Sequence, residues 1–299
     1  MERWPEARMP EGAPKTDRPE IFSSVAKTFE SVEQPIGRWE KAWNNSWVRK
    51  VVLLIVLAGA WELFAQSYDN KDLLPTFGQT AMAFINSVKS SPFELPAAAL
   101  GTIEVLLTGY GVGLLLAAAL TAFANVSRTG TDLLETVTSM FNALPSVAIL
   151  PIALILYGVD KRALVFVLVH AVLWTVALNT HAGFRSVSPT WGMVGRNYGL
   201  SAFGYILRIL IPGAFPSILT GLKTGWAFAW RTVIAAEMVF GASGGSGGIG
   251  RFISERSNVL RTEDAFAGLL TVIIFGVIVE HLVFRTIENR TVRRWGMQA

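Results

Sequence analysis

The chain has 299 residues, of which 52% are hydrophobic and 16% charged, with a mean hydropathy of +0.43. Soluble domains carry about 25% charged residues, so this composition points to an integral membrane protein. Its net charge of +4 is scattered between apolar runs, which excludes the basic stripe of a nucleic-acid binder, and the lack of cysteine excludes disulfides and thiolate metal sites.

Residues 1–34 hold 12 charges, several prolines and no apolar run of signal-peptide type, and read as a disordered tail. Over residues 35–50, Ile36, Trp39, Trp43 and Trp47 recur at near-helical spacing, which predicts an amphipathic helix at the membrane–water boundary. Six segments then approach the roughly 20 apolar residues that a bilayer requires. They lie at 48–66, 102–124, 137–157, 162–183, 212–240 and 265–285, within a membrane domain spanning 51–290. Residues 291–299 form the C-terminal segment. The fold class is therefore all-α, a polytopic transmembrane helical bundle of about six spans.

An even number of spans leaves both termini on one side. With the N-terminus in the cytoplasm, twelve Lys and Arg residues fall on that side and seven on the other. The positive-inside rule favours this arrangement, with Arg49–Lys50 and "RTIENRTVRRWG" as its clearest markers. Pro145 and Pro151, in "FNALPSVAILPIALILYG", remove backbone donors inside the third segment, and such broken backbone is tolerated where it lines a cavity.

Ionisable residues at membrane depth are costly and mark functional candidates; here they are Glu62, Glu104, Lys223, Arg231, Glu237 and Glu280. Arg231 and Glu237 stand six apart and do not share a helix face. Each needs a partner on another helix, a water-filled pathway or an interface. Arg231 suits an anionic solute, and a structural ion pair is an equal alternative. "GYGVG" (109–113) and "GLKTG" (221–225) either let helices or subunits approach closely or reflect the abundance of glycine in membrane helices.

Several patterns carry no chemistry. "GGSGGIG" (244–250) contains a formal G-x-G-x-x-G, but outside a βαβ unit it reads as a flexible turn. No phosphate-binding G-x-x-x-x-G-K-[ST] occurs, His170, His181 and His281 lack ligand partners at metal-binding spacing, and no catalytic constellation stands out.

Between the fourth and fifth segments lies a loop, 186–211, too polar for lipid yet striped with apolar residues. Trp191, Val194 and Tyr198 form one helical run, and Phe203, Ile206, Leu207 and Leu210 another, with Gly199 between them. Two short helices meeting at a glycine corner, with Pro212 starting the next span, fit this pattern. The corner would lie across the membrane face, docked to a partner or resting on lipid headgroups.

"GRNYGLSAFGYILRILIPGAFPSILTGLKTGWAFAWRTVIAAEM" (195–238) resembles the signature region of permease subunits of bacterial ABC importers, in particular the nitrate, sulfonate and taurine type. That family's loop reads E-A-A, three residues, Gly, nine residues, Ile, one residue, Leu-Pro. Counting from Gly199 reaches Ile209, Leu210 and Ile211-Pro212, with Ile211 in place of Leu. Met193-Val194-Gly195 stands where E-A-A is expected, which leaves open any contact that depends on the acidic charge. "LLPTFGQTAMAF" (73–84), "FNALPSVAILPIALILYGVD" (141–160), "NTHAGFRSVSP" (179–189), "IAAEM" with Glu237, and "GGIGRFI" (247–253) extend the resemblance over about residues 70–285.

The resemblance implies a permease subunit, itself not an enzyme, in the bacterial inner membrane. Its partners would be two cytoplasmic ABC ATPase subunits, a periplasmic solute-binding protein, membrane lipid and a second copy of the chain. ATP and Mg would be held by the ATPase, with no cofactor, metal or nucleic acid on this chain. Arg196, Asn197, Tyr198, Gly199, Leu200, Ser201, Ala202 and Phe203 would form the coupling helix, and Pro145, Pro151, Arg231 and Glu237 are the pathway candidates. The solute would be small and anionic. A stand-alone secondary transporter or channel is the alternative, and a membrane enzyme or assembly factor a further one.

Overall fold

The run from Lys161 to Ser186 is apolar on every side, and a helix with no face suited to water is driven to the centre of a bundle. In the computed structural model Ala163, Leu164, Val167, Leu168, Val172 and Ala177 on this helix are at most 1% exposed. Asp160 starts it, its carboxylate accepting the Arg162 backbone N–H at 2.8 Å. That bond, with the Arg162 side chain beside it, holds the Asp160 carboxyl below the ordinary range.

The structure describes Glu40 and residues 43–68, 73–89, 94–125, 127–241 and 247–296. The expected tail, 1–34, lies outside these residues, as does most of the first half of the expected boundary helix. In chain order the helices are α1 (Ser46–Ser67), α2 (Phe77–Lys89), α3 (Glu94–Ala124) and α4 (Arg128–Asn142). A 3₁₀ turn (Ser146–Ile149), α5 (Leu150–Tyr157), α6 (Lys161–Ser186), α7 (Pro189–Asn197) and α8 (Ala202–Tyr205) follow. A π turn (Ile206–Leu210) leads into α9 (Ile211–Gly241), followed by α10 (Ile249–Asn258) and α11 (Thr262–Ile278). A second π turn (Val279–Phe284) and α12 (Arg285–Arg290) complete the order, and no strand occurs among the described residues.

The chain divides into two units, residues 1–54 and 55–299. In the first, Asn45 Oδ1 accepts the Trp47 N–H at 3.0 Å at the start of α1, and Trp47, Leu53 and Leu54 are exposed. In the second, α3 and α9 flank α6.

The two glycine patterns face this central helix. A Cβ on Gly109 would stand 2.5 Å from Leu168 Cβ, and one on Gly113 would stand 2.7 Å from Val172 Cβ. On the other flank, a Cβ on Gly221 would meet Asn179 Cβ at 2.8 Å. Both patterns are seams within one chain. Tyr110 closes the bundle over them, its hydroxyl donating to the Leu222 carbonyl at 2.9 Å.

Among the described residues, four helices are long and apolar enough to cross a membrane: 94–124, 161–186, 202–239 and 262–290. A fifth is added if α4 and the 146–157 pair, bent by 86°, count as one broken span. The expected third span, 137–157, is therefore not one straight helix. Pro145 disfavours helical backbone at Leu144 and supplies no N–H, so α4 stops at Asn142. Pro151 is no breaker, because it sits in the first turn of α5, where a missing donor costs nothing.

Candidate coupling corner and translocation elbow

Gly199 stands at φ +67°, in the left-handed region that suits glycine. The Leu200 N–H reaches back to the Gly195 carbonyl at 3.0 Å, and the Gly199 N–H to the Arg196 carbonyl at 3.0 Å. These paired bonds are a Schellman termination of α7. Ser201 then opens α8, its hydroxyl accepting the Gly204 N–H at 3.2 Å. Arg196 to Phe203 thus form one corner, with the two short helices that the sequence pattern predicts on either side.

The apolar stripe divides in two. Leu210 packs with Phe184 and Ala214, beside Tyr205 and Ile206. Gly195 is buried because a Cβ there would stand 3.0 Å from Tyr205 Cδ2, so α7 lies directly on that ring. Tyr198, 82% exposed, and Phe203, 67% exposed, point the other way with Trp191. Sequence reasoning misplaced one feature. Pro212 does not begin a new helix after a break, since residues 202–239 run as one helix. A proline crowds the carbonyl four residues earlier, and the π turn relieves this by bonding the Ile211 N–H to the Ile206 carbonyl.

At the elbow, the 86° bend opens a cavity of about 260 Å³ against α6 and α9. Pro145 lines it, while Pro151 does not. Arg231 is exposed on α9, its Nε donating to the Ala227 carbonyl at 3.1 Å. Its guanidinium stands 5.5 Å from the centroid of Phe228, a ring that also lines the cavity. Among the described residues no carboxylate lies within ion-pair distance of Arg231.

Glu237 lies elsewhere, 2% exposed near the far end of α9. Its Oε2 accepts the Thr102 hydroxyl at 2.8 Å and the Gly250 N–H at 3.0 Å, while Thr102 Oγ1 accepts the Ile249 N–H at 2.8 Å. A carboxylate at the start of α10 complements the positive end of that helix. Gly248 and Gly250 are packed against it: a Cβ on Gly248 would overlap the Glu237 carboxylate, and one on Gly250 the Ile234 carbonyl. The "GGIG" part of the glycine run is therefore a fitted joint rather than a flexible turn. Residues 242–246 of that run lie outside the described residues.

The remaining membrane-depth charges have local partners or lie at the surface. Glu62 accepts the Gly78 N–H at 3.1 Å, Glu104 pairs with Lys161 at 2.9 Å and Lys223 with Glu288 at 2.5 Å, and Glu280 is exposed. Among the described residues no three His, Asp or Glu side chains gather as metal ligands would. Sequence reasoning weighed His170 only as a metal ligand and gave no role to Phe141 or Trp174; the signal for them was the spacing of two polar-edged rings, His170 and Trp174, one turn apart on α6.

A bundle of apolar helices with a broken span and a glycine corner between two of them is the architecture of a polytopic membrane protein. Residues 109–294 match the family described as the binding-protein-dependent transport system inner membrane component, and the chain belongs to it. SsuC, an Escherichia coli (strain K12) protein named for aliphatic sulfonates transport, is 28% identical over 170 residues, 57% of this chain and 62% of SsuC. The nitrate import permease protein NrtB of Leptolyngbya laminosa is 27% identical over 190 residues, 64% of each chain. The taurine transport system permease protein TauC of Escherichia coli (strain K12) is 27% identical over 165 residues, 55% of this chain and 58% of TauC. The chain thus spans just under two thirds of these relatives. A solved inward-facing MetNI methionine ABC transporter chain is similar at a TM-score of 0.49 and 18% identity, covering 69% of this chain and 98% of that one.

Proposed function

We propose that this chain is the permease subunit of an ATP-driven importer, forming as a homodimer the membrane path for a small anionic solute. A separate periplasmic binding protein delivers the solute, and two separate ATPase subunits in the cytoplasm drive release. The observation that carries this reading is the corner at Gly199. It presents Tyr198 and Phe203 to the outside at 82% and 67% exposure, together with Trp191, while Ile206 and Leu210 of the same stripe pack into the bundle. A lipid-facing hairpin would have no need of a fixed left-handed corner, whereas a lever driven by a partner needs one rigid point of contact. The α8–π–α9 helix, continuous from 202 to 239, joins that point to the far end of the bundle. Motion at the corner would then act on the whole span, and two states of the dimer, each preferred by a different partner, would alternate access. The anionic class follows from nitrate, taurine and aliphatic sulfonates in the relatives' names and from Arg231, which has no acidic partner among the described residues.

Gly199→Val tests the reading in the reconstituted complex. A β-branched residue is strained at φ +67°, so the corner should distort while the spans still insert. Solute-stimulated ATP hydrolysis should fall at least tenfold, with the amount of chain in the membrane unchanged. Wild-type stimulation in this variant, or uptake by the wild type without ATP, would overturn the assignment; the second result would make the chain a stand-alone transporter.

A further inference from the structure

The elbow cavity lies at the depth where an unmet polar group is costly. His170 and Trp174 stand nine and thirteen residues after the start of the 26-residue α6, roughly 14 and 20 Å along it, and hence near mid-span. Two nitrogens here are buried without a hydrogen-bond partner, Nε2 of His170 and Nε1 of Trp174. The indole nitrogen only donates. Ser146 Oγ is 3.4 Å from His170 Nδ1, and a hydroxyl donating there leaves the proton of the neutral imidazole on Nε2. Native proteins pair the large majority of such buried groups, with protein or with water, so two orphans side by side at a cavity call for an occupant.

The surroundings define its chemistry. The Thr175 hydroxyl lies 3.0 Å from the Ala171 carbonyl and 3.1 Å from Asn142 Oδ1, and its one proton serves one of the two. No acidic residue lines the cavity, and the Arg231 guanidinium stands 5.5 Å from the centroid of Phe228, one of the lining rings. A cation would find no carboxylate here, whereas an oxyanion would find two N–H donors and a guanidinium nearby. Phe141 packs against both rings, stacking on Trp174 with centroids 4.8 Å apart and meeting His170 edge-on at 6.2 Å. Phe141 is the penultimate residue of α4, next to the break.

We propose that this elbow is a mid-pathway subsite for a small oxyanion, whose oxygens accept from the Trp174 and His170 N–H groups beside Arg231, with the Phe141 ring as its cover. This names a solute site for the permease reading and rests on it.

The test uses the full chain in lipid nanodiscs, with methanesulfonate and nitrate as probes, choline as the cationic control and ionic strength held with gluconate. The melting temperature should rise saturably with either anion and not with choline. Half-saturation should weaken at least tenfold in Trp174→Phe and in Arg231→Gln, with partial recovery in Arg231→Lys. Phe141→Ala should bind several-fold more tightly, because the cover is gone. If Trp174→Phe does not assemble, His170→Phe carries the same expectation. Wild-type affinity in Trp174→Phe or His170→Phe, or the lack of a saturable response to both anions, would overturn the subsite. ATP-linked uptake by the complex is read separately. Uptake with anion affinity unmoved by the variants refutes the subsite alone, and intact anion binding without ATP-linked uptake refutes the permease reading alone.

Discussion

Glu237 acts as a fastener between elements distant in sequence. Through Oε2 it joins Thr102 on α3 to the Gly250 N–H at the start of α10, across 135 and 13 residues of chain. Replacing it by Ala leaves the Gly250 donor unpaired in a buried joint, a loss of about 1–3 kcal/mol before any cavity is counted. Gln keeps an acceptor of the same reach and should retain most of that stability. Thermal unfolding in detergent should therefore rank wild type, Glu237→Gln and Glu237→Ala in falling order. Thr102→Val combined with Glu237→Ala should cost less than the sum of the two, because both break the same network. A Glu237→Ala protein as stable as wild type would refute the fastening role. None of this was legible in the chain: a lone glutamate in "IAAEM" does not say which distant threonine and which glycine run it will meet. The corner was legible because its determinants are local, a glycine, a capping serine and two apolar runs within about twenty residues.

Among the elements, α3 offers an internal control for close packing. Gly109 and Gly111 are two residues apart on one helix, yet only Gly109 faces α6; a Cβ on Gly111 would meet nothing within 4 Å. Gly109→Ala should destabilise the bundle by about 1–3 kcal/mol through overpacking against Leu168. Gly111→Ala should be neutral or stabilise it by roughly 0.5–1 kcal/mol, because alanine loses less backbone freedom in a helix. Melting temperatures that move in opposite directions would support α3–α6 packing as the basis of the pattern, and equal shifts would refute it. The sequence marked both glycine patterns without saying which glycines mattered, since a G-x-x-x-G spacing selects a face but not its neighbour. The elbow was half legible in the same way. Two prolines announced a break, but only Pro145 makes one, and neither proline states that the chain will turn by 86° there.

For the whole membrane unit, the ends of the bundle provide a test of orientation. The corner at Gly199 shares its end with the C-terminal turn, where Trp295 meets Phe215 edge-on with ring centroids 5.4 Å apart. Glu237, Gly250 and the Arg256–Glu94 ion pair mark the opposite end. If the corner docks an ATPase, that end faces the cytoplasm. The basic residues around it, Arg185, Arg196, Arg208, Arg290, Arg293 and Arg294, agree with that orientation under the positive-inside rule. The chain has no cysteine, so single substitutions report position without background. Ser257→Cys, on the opposite end, should react with a membrane-impermeant maleimide in intact spheroplasts, while Ser201→Cys should react only in inverted vesicles. Co-expressed ATPase subunits should then protect Ser201→Cys and leave Ser257→Cys unchanged. Labelling of Ser201→Cys from the outside would invert the topology and remove the corner from the reach of any cytoplasmic ATPase. Correct sidedness without protection would leave the topology standing and place the ATPase contact on another surface.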